Sequence, residues 1–322
     1  MPTQMLSRRE IAKRWGGLLT SFEPAPPGHP IAASLPAGAV TDDTEQAVLL
    51  GRLLVRGHGT VDPRELAEAL VSWERDMAAR GSLDLLGPST KRAVAAVLAG
   101  VPPEEAGAFG TTNGAAMRIA PGGIAVNQAL PGPPASPRRA ARPALSALVD
   151  QVVAASRVTH DTGIALAGAA AVAAAVSAGV SGAGIGEATA FAVDAAGIAA
   201  DRGHWAAGAD VAARIEWATG LVTGLDTAAA ADVIYTLVGT SLATQESVPA
   251  AFAVLAAVPA DPWQACLLAA SLGGDCDPVA AMAGAVAGAC HGVEAFPPGA
   301  IAAIDAHGLD LAALADDLYA LR

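Results

Sequence analysis

The chain has 322 residues, of which 53% are hydrophobic, 16% charged and 4% aromatic, and its formal net charge is −12. That charge excludes a general nucleic-acid binder, because a phosphate backbone demands a basic footprint. Cys266, Cys276 and Cys290 make an odd count with no CxxC pair, which argues against a disulfide framework or a zinc site and predicts a reducing, cytoplasmic setting. No basic segment followed by an apolar run and a small-residue cleavage site is found near Met1, so no signal peptide is expected.

Abundant Ala and Gly with few aromatic residues predict an all-α fold. In chain order, helical patterns punctuated by Gly and Pro fall at 8–15, 44–55, 63–80, 89–99, 142–155, 161–178, 185–199, 208–219, 228–239, 248–258, 263–272 and 279–290. Strand-like alternation is scarce, so a dozen or so helices packed in several directions are expected. The uncharged run 162–186 is long enough to cross a bilayer. It is mostly Ala and Gly, however, and a buried, closely packed helix pair with no membrane contact is the better reading. Two stretches rich in Pro and Gly, 21–39 and 120–143, read as long loops.

The run TDDT at 41–44 sets Asp42 and Asp43 side by side at the start of an apolar helix. Thr and Asp accept hydrogen bonds from the unpaired N–H groups of a helix start, and Asp43 with Gln46 three residues on has the spacing of a capping box. One capping residue would suffice, and adjacent carboxylates repel unless something positive sits between them. A second acidic cluster comes in SLGGDCDPVAAMAGAVAGACHG at 271–292. Gly273 and Gly274 read as a turn, Asp277 as a cap and Pro278 as the first helical residue. Gly284 and Gly288 would let a neighbouring helix come close.

Either cluster alone reads as a cap. Together they place two carboxylates at each of two helix entrances, Asp42 with Asp43 and Asp275 with Asp277. If the fold brings them within about 4 Å, each pair of like charges costs on the order of 4 kcal/mol at an effective dielectric of 20. Divalent cations relieve that repulsion, and oxygen-only ligands suit Mg²⁺ or Mn²⁺ rather than zinc. Cys276, between two of these residues, is expected to point away.

Four motifs, TDDT, TNGAAMRIAP (112–121), SRVTHDT (156–162) and GGDCD, come in the order and rough spacing of the ADP-ribosylglycohydrolase family, which the chain resembles over nearly its whole length. The resemblance implies a single all-α domain, an orthogonal multi-helix bundle, holding a dinuclear Mg²⁺ or Mn²⁺ centre that cleaves a glycosidic bond at C1 of a ribose. It implies Thr41, Asp42, Asp43, Asp275 and Asp277 as metal ligands, with Asp42 and Asp43 also nearest the chemistry; Asp84, near the Gly-Pro-Ser-Thr run at 87–90 but one residue further from Gly87 than expected, is a candidate catalytic carboxylate in place of the glutamate that Gln4 replaces. Thr112, Asn113, Gly114 and Ala115 then form a substrate loop whose backbone N–H groups face phosphate oxygens. His160 lines the pocket beside ribose and phosphate; outside that context a lone His on an apolar helix reads as a hydrogen-bonded core residue. The implied partner is an ADP-ribosylated protein or a small ribosyl substrate.

The sequence departs from the family at three places. Pro278 stands where the family has a threonine whose hydroxyl ligates a metal, so one ion is expected to take another ligand, bind weakly or be absent. Gln4 stands where several relatives carry a glutamate, and glutamine is no base. MPTQMLSRREIA resembles the tail of the family's opening motif, and in-frame upstream sequence is expected to encode a GDALG-like segment; a stop codon directly before Met1 would refute this. A hydrolase of small ribosides and an ADP-ribose-binding protein without turnover are the competing readings. Trp205 and Trp217 are expected as packing or pocket walls, and Glu246 as the start of a helix.

Overall fold

The structure is a computed structural model that describes residues 1–33, 35–80, 86–126 and 142–322. Among the described residues every regular element is helical, and the only β features are isolated bridges pairing Thr112 with Ala243 and Thr162 with His204. The longer helices are α1 (Arg8–Trp15), α2 (Asp42–Arg56), α3 (Pro63–Ala79), α4 (Pro88–Leu98), α8 (Arg142–Ser156), α9 (Gly163–Val180), α10 (Ile185–Ala199), α11 (Val211–Leu221), α13 (Thr244–Ala257), α14 (Pro262–Ala270), α15 (Cys276–His291), α16 (Pro298–Asp305) and α17 (Leu311–Tyr319). Short ones are α5 (Pro103–Ala106), α6 (Gly114–Arg118), α7 (Ala120–Ile124) and α12 (Thr227–Val233).

Helix α9 is the axis of the molecule. It carries no charge, its residues are buried from Gly163 to Gly179, and α6, α7, α8, α10 and α15 all pack on it. Its length and composition would suit a bilayer, but 94% of it lies inside the protein. Small side chains let neighbours come near: a Cβ on Gly179 would sit 2.9 Å from the backbone of Ala289 and Cys290 on α15. Gly179→Val is therefore expected to cost about 1–3 kcal/mol by overpacking, read from urea unfolding. Gly284 has the expected role toward α14, with Cys266 Sγ at 3.2 Å from a Cβ built there.

Several helices start on caps of the expected kind. Ser7 and Glu10 form a capping box on α1, Asp62 caps α3 through the Glu65 N–H at 2.8 Å, Thr162 caps α9, and Asp261 caps α14. The helices that carry the acidic clusters, α2 and α15, start without a side-chain cap.

Some boundaries differ from the sequence reading. Residues 120–124, expected within a loop, form α7, with Pro121 near its N-terminus where a missing N–H costs nothing; residues 127–141 lie outside the described residues. The expected helix 228–239 divides into α12 and a π-helical turn, Ile234–Val238, closed by Gly239 N–H to Ile234 O at 2.9 Å. Gly239 has φ +90°, and a Cβ there would lie 2.5 Å from Glu246 Oε2. Glu246 lies in the first turn of α13, which starts two residues before it at Thr244, and its carboxylate accepts the Ser241 N–H at 3.1 Å. Trp205 is 88% exposed and walls nothing, because its loop runs over the surface, whereas Trp217 lies under the Arg214 guanidinium at 4.7 Å.

Candidate functional site

Three helix N-termini, those of α2, α6 and α15, converge on one point. Their N-cap residues are Thr41, Asn113 and Asp275, all types that cap well, yet none caps its own helix through the side chain. The Thr41 hydroxyl donates to Asp43 Oδ2 at 3.0 Å, and the Asn113 amide donates to Asp275 Oδ2 at 2.8 Å. Hydrogen-bonding capacity that elsewhere serves the helix is spent here on carboxylates. This corrects two expectations: Asp43 and Gln46 form no capping box, and α15 begins one turn earlier than expected, with Asp277 and Pro278 inside its first turn rather than capping it.

Asp42, Asp43 and Asp277 come together, each offering an oxygen within 4.8 Å of the others. All three are buried, with Asp43 at 1% and Asp277 at 2% exposure. Both oxygens of Asp277 lack a hydrogen-bond partner. Burial first, then the charges of Asp43, Asp275 and Asp42, hold its carboxyl well above the usual carboxylate range. Asp275, half-buried beside it, is pushed up by burial and partly restored by the Asn113 bond.

The turn before Asp275 aims these residues. Gly273 and Gly274 both have positive φ, at +80° and +65°, as the sequence predicts for a turn. Gly274 exchanges backbone bonds with the segment of Gln4: its N–H reaches Leu6 O at 2.9 Å, and Met5 N–H reaches Gly274 O at 2.7 Å. Gln4 itself is buried with an unpartnered Oε1. Cys276 points away from the carboxylates as expected, its Sγ 3.4 Å from the Thr3 hydroxyl and its thiol pushed by burial to about 11.

The donor set fits a hard divalent cation. A buried carboxylate with two empty oxygens beside two others must bind a proton or a positive ion, and all-oxygen ligation suits Mg²⁺ or Mn²⁺. Saturating Mg²⁺ or Mn²⁺ is therefore expected to raise the melting temperature. Linkage supplies about 2.7 kcal/mol at a hundredfold excess over Kd. The gain should be smaller at pH 5 than at pH 7.5, because protons held by Asp277 and Asp275 compete with the ion.

Asn113 borders the carboxylates through its bond to Asp275, and Thr112 precedes it in the chain. The Asn113 N–H, however, is committed to Leu242 O at 3.0 Å, so it does not face a phosphate as expected. The first-turn N–H groups of α6, at Gly114 and Ala115, have no partner within their own helix. Gly114 is required by its surroundings, since a Cβ there would lie 2.9 Å from His160 Cε1. His160 is fully buried with both ring nitrogens engaged, Nε2 with Thr112 Oγ1 at 2.9 Å and Nδ1 with Thr159 Oγ1 at 2.8 Å. It stands behind the 112–115 segment, paired with Thr112. Asp84 lies outside the described residues.

Sequence reasoning passed over Arg118, whose guanidinium is 1% exposed and bonds Gln46 Oε1 at 3.3 Å and Thr159 Oγ1. Gln46 in turn donates to Asp42 Oδ2 at 3.0 Å. A lone Arg in the apolar run AAMRIA was the available signal.

A cavity of about 580 Å³ opens beside the carboxylates through Thr41, Thr44 and Asp277 and runs on past Phe22, Trp263 and Leu267. Among the described residues no Lys, Arg or His side chain lines it.

The ADP-ribosylglycohydrolase family model matches residues 1–322. YegU, an uncharacterized protein of Escherichia coli (strain K12), is 33% identical over 311 residues, which cover 95% of this chain and 87% of that protein. An uncharacterized protein of Archaeoglobus fulgidus is 35% identical over 176 residues, 54% of this chain and 48% of its own length. A solved structure described as an ADP-ribosylglycohydrolase-related protein complex superposes with a TM-score of 0.62 at 25% identity, covering 98% of both chains. With the motifs, the helical fold and the carboxylate cluster in agreement along its whole length, the chain belongs to the ADP-ribosylglycohydrolase family.

Proposed function

We propose that the protein is a divalent-cation-dependent hydrolase that cleaves the glycosidic bond at C1 of the ribose of an ADP-ribosyl group. The observation that carries this reading is the Asp277 carboxylate, buried with both oxygens unpartnered and facing Asp42 and Asp43 within 4.8 Å. In the reaction the bond from C1 to the leaving group breaks and a water oxygen bonds to C1; one water proton stays on the new C1 hydroxyl, and the other passes through a base to the leaving group. Asp42, Asp43 and Asp277, with Thr41 and Asp275 beside them, would hold Mg²⁺ or Mn²⁺, two ions if Pro278 leaves the second site intact. Such an ion supplies Lewis acidity and a water of lowered pKa.

The chain's own residues supply the rest. Ribosyl transfer passes through an oxocarbenium-like state whose positive charge is favoured next to ionised carboxylates. The first turn of α6 presents N–H groups to anionic substrate oxygens, aided by the positive end of its peptide dipoles. Asp84 is the candidate for proton transfer, since Gln4 has no basic oxygen.

The test is release of free ADP-ribose from an ADP-ribosylated protein, with Mg²⁺ or Mn²⁺ and with chelator. Release that requires the metal supports the reading; none under either condition overturns it. A second reading, hydrolysis of uncharged small ribosides, is favoured by the cavity beside Asp277, whose lining among the described residues offers a diphosphate no basic side chain. Metal-dependent release of ribose from nucleosides, with ADP-ribosyl protein untouched, would select it. Metal-dependent binding of ADP-ribose without release from either substrate would mark a binding protein.

A further inference from the structure

The buried polar groups behind the site form one continuous chain: Asp42, Gln46, Arg118, Thr159, His160, Thr112. Gln46, Arg118, Thr159 and His160 are each at most 1% exposed, so the directions of these bonds are set by the protein. Arg118 is the fixed point, because a guanidinium only donates. On one side its Nη1–H donates to Gln46 Oε1, which forces the Gln46 amide nitrogen toward Asp42 Oδ2. On the other its Nη2–H donates to Thr159 Oγ1, leaving that hydroxyl one hydrogen to give.

Two acceptors compete for that hydrogen, His160 Nδ1 at 2.8 Å and Ser156 O at 3.4 Å. The shorter contact lies in the range of real O–H bonds and the longer outside it. The guanidinium beside Thr159 also favours a lone pair on Nδ1 over an N–H there. Burial and Arg118 both hold His160 neutral, its pKa pushed well below the usual range. Its single proton is then on Nε2, which donates to Thr112 Oγ1 at 2.9 Å. Thr112 accepts, and its own hydroxyl hydrogen is left to be given away, next in the chain to Asn113, whose amide bonds Asp275.

We propose that Arg118 is a positioning residue that fixes the direction of this chain, holding His160 as the Nε2–H tautomer so that Thr112 presents a hydrogen-bond donor to the ligand, while Gln46 holds Asp42 in place. The ligand group that such a donor recognises is an oxygen acceptor, a ribose or phosphate oxygen in the reading above. The ring tautomer itself is independent of that reading.

The experiment is ¹⁵N NMR of the His160 ring in the metal-free protein, without substrate. The expected spectrum has a protonated Nε2 and an acceptor Nδ1; a protonated Nδ1 overturns the proposal. Arg118→Met is expected to transfer the proton toward Nδ1 and to weaken Mn²⁺ binding about 10–100-fold, as loss of a partner behind a metal ligand does. Thr159→Val guards against a variant that fails to fold: it removes the hydroxyl that donates to Nδ1, so the Nδ1 resonance should move toward that of an unbonded acceptor nitrogen while Mn²⁺ affinity stays within about twofold, because it lies on the other arm of the chain. An unmoved Nδ1 resonance in Thr159→Val would contradict the proposal even if the hydrolase reading holds.

Discussion

Asp277→Asn is expected to abolish divalent-cation binding and, in metal-free protein at neutral pH, to raise stability rather than lower it. The wild-type carboxyl is buried without hydrogen bonds among three other carboxylates, which hold its pKa well above the ordinary range. In the unfolded chain it ionises near the ordinary aspartate value of 3.8. A group with a raised folded pKa binds more protons folded than unfolded, so its favourable contribution is complete below about pH 4 and disappears as pH rises through the folded value. The metal-free wild type should therefore lose stability from about pH 4 toward neutrality, and the variant should lose less. One like-charge contact at 4 Å is worth about 4 kcal/mol at an effective dielectric of 20, so after relaxation a gain of roughly 1–3 kcal/mol at pH 7 is expected. Urea unfolding with chelator at pH 5 and pH 7 reads it. A variant that is less stable than wild type at pH 7 would contradict the electrostatic account.

Gly274→Ala is expected to damage fold and site together. The position has φ +65°, and a Cβ there would meet Thr240 Oγ1 at 2.5 Å and Thr240 O at 2.6 Å. A left-handed non-glycine residue costs about 1–2 kcal/mol and overpacking about 1–3 kcal/mol more, so a loss of roughly 2–5 kcal/mol is expected. The same backbone aims Asp275, whose N–H reaches Thr240 O at 2.7 Å. Metal affinity should fall with stability, and a calorimetric titration beside an unfolding curve separates the two. Gly100→Ala also replaces a positive-φ glycine, at φ +92°, but has nothing within 4 Å of its Cβ and lies in a turn away from the site. It should show the strain alone, with metal binding intact.

Much of this was legible in the sequence, and for a definite reason. Helix-forming residues between Gly and Pro marked α1 and α10 to the residue, because their boundaries are set by local chemistry such as the Ser7–Glu10 box. Both acidic clusters could be paired before any fold was seen, because like charges placed at two helix entrances need a common partner. What the sequence hid was the use of side chains across elements. Asn113 and Asp275 are 162 positions apart and bond each other, so neither caps its helix. Arg118 has no local meaning in α6 and acquires one only when Gln46 from α2 and Thr159, which precedes α9, close around it. His160 shows the same limit: motif order put it at the pocket, while the fold gives both its nitrogens to threonines.

The account rests on Asp42, Asp43 and Asp277 forming a cation site. The most direct test is calorimetric titration of chelator-treated protein with Mn²⁺, wild type beside Asp277→Asn. Saturable binding by the wild type at one or two ions per chain, absent in a variant whose circular dichroism is unchanged, is the predicted result. Failure of the wild type to bind, or equal binding by both proteins, would mean that the buried carboxylates hold protons instead of metal, and the proposed hydrolase would lose its basis.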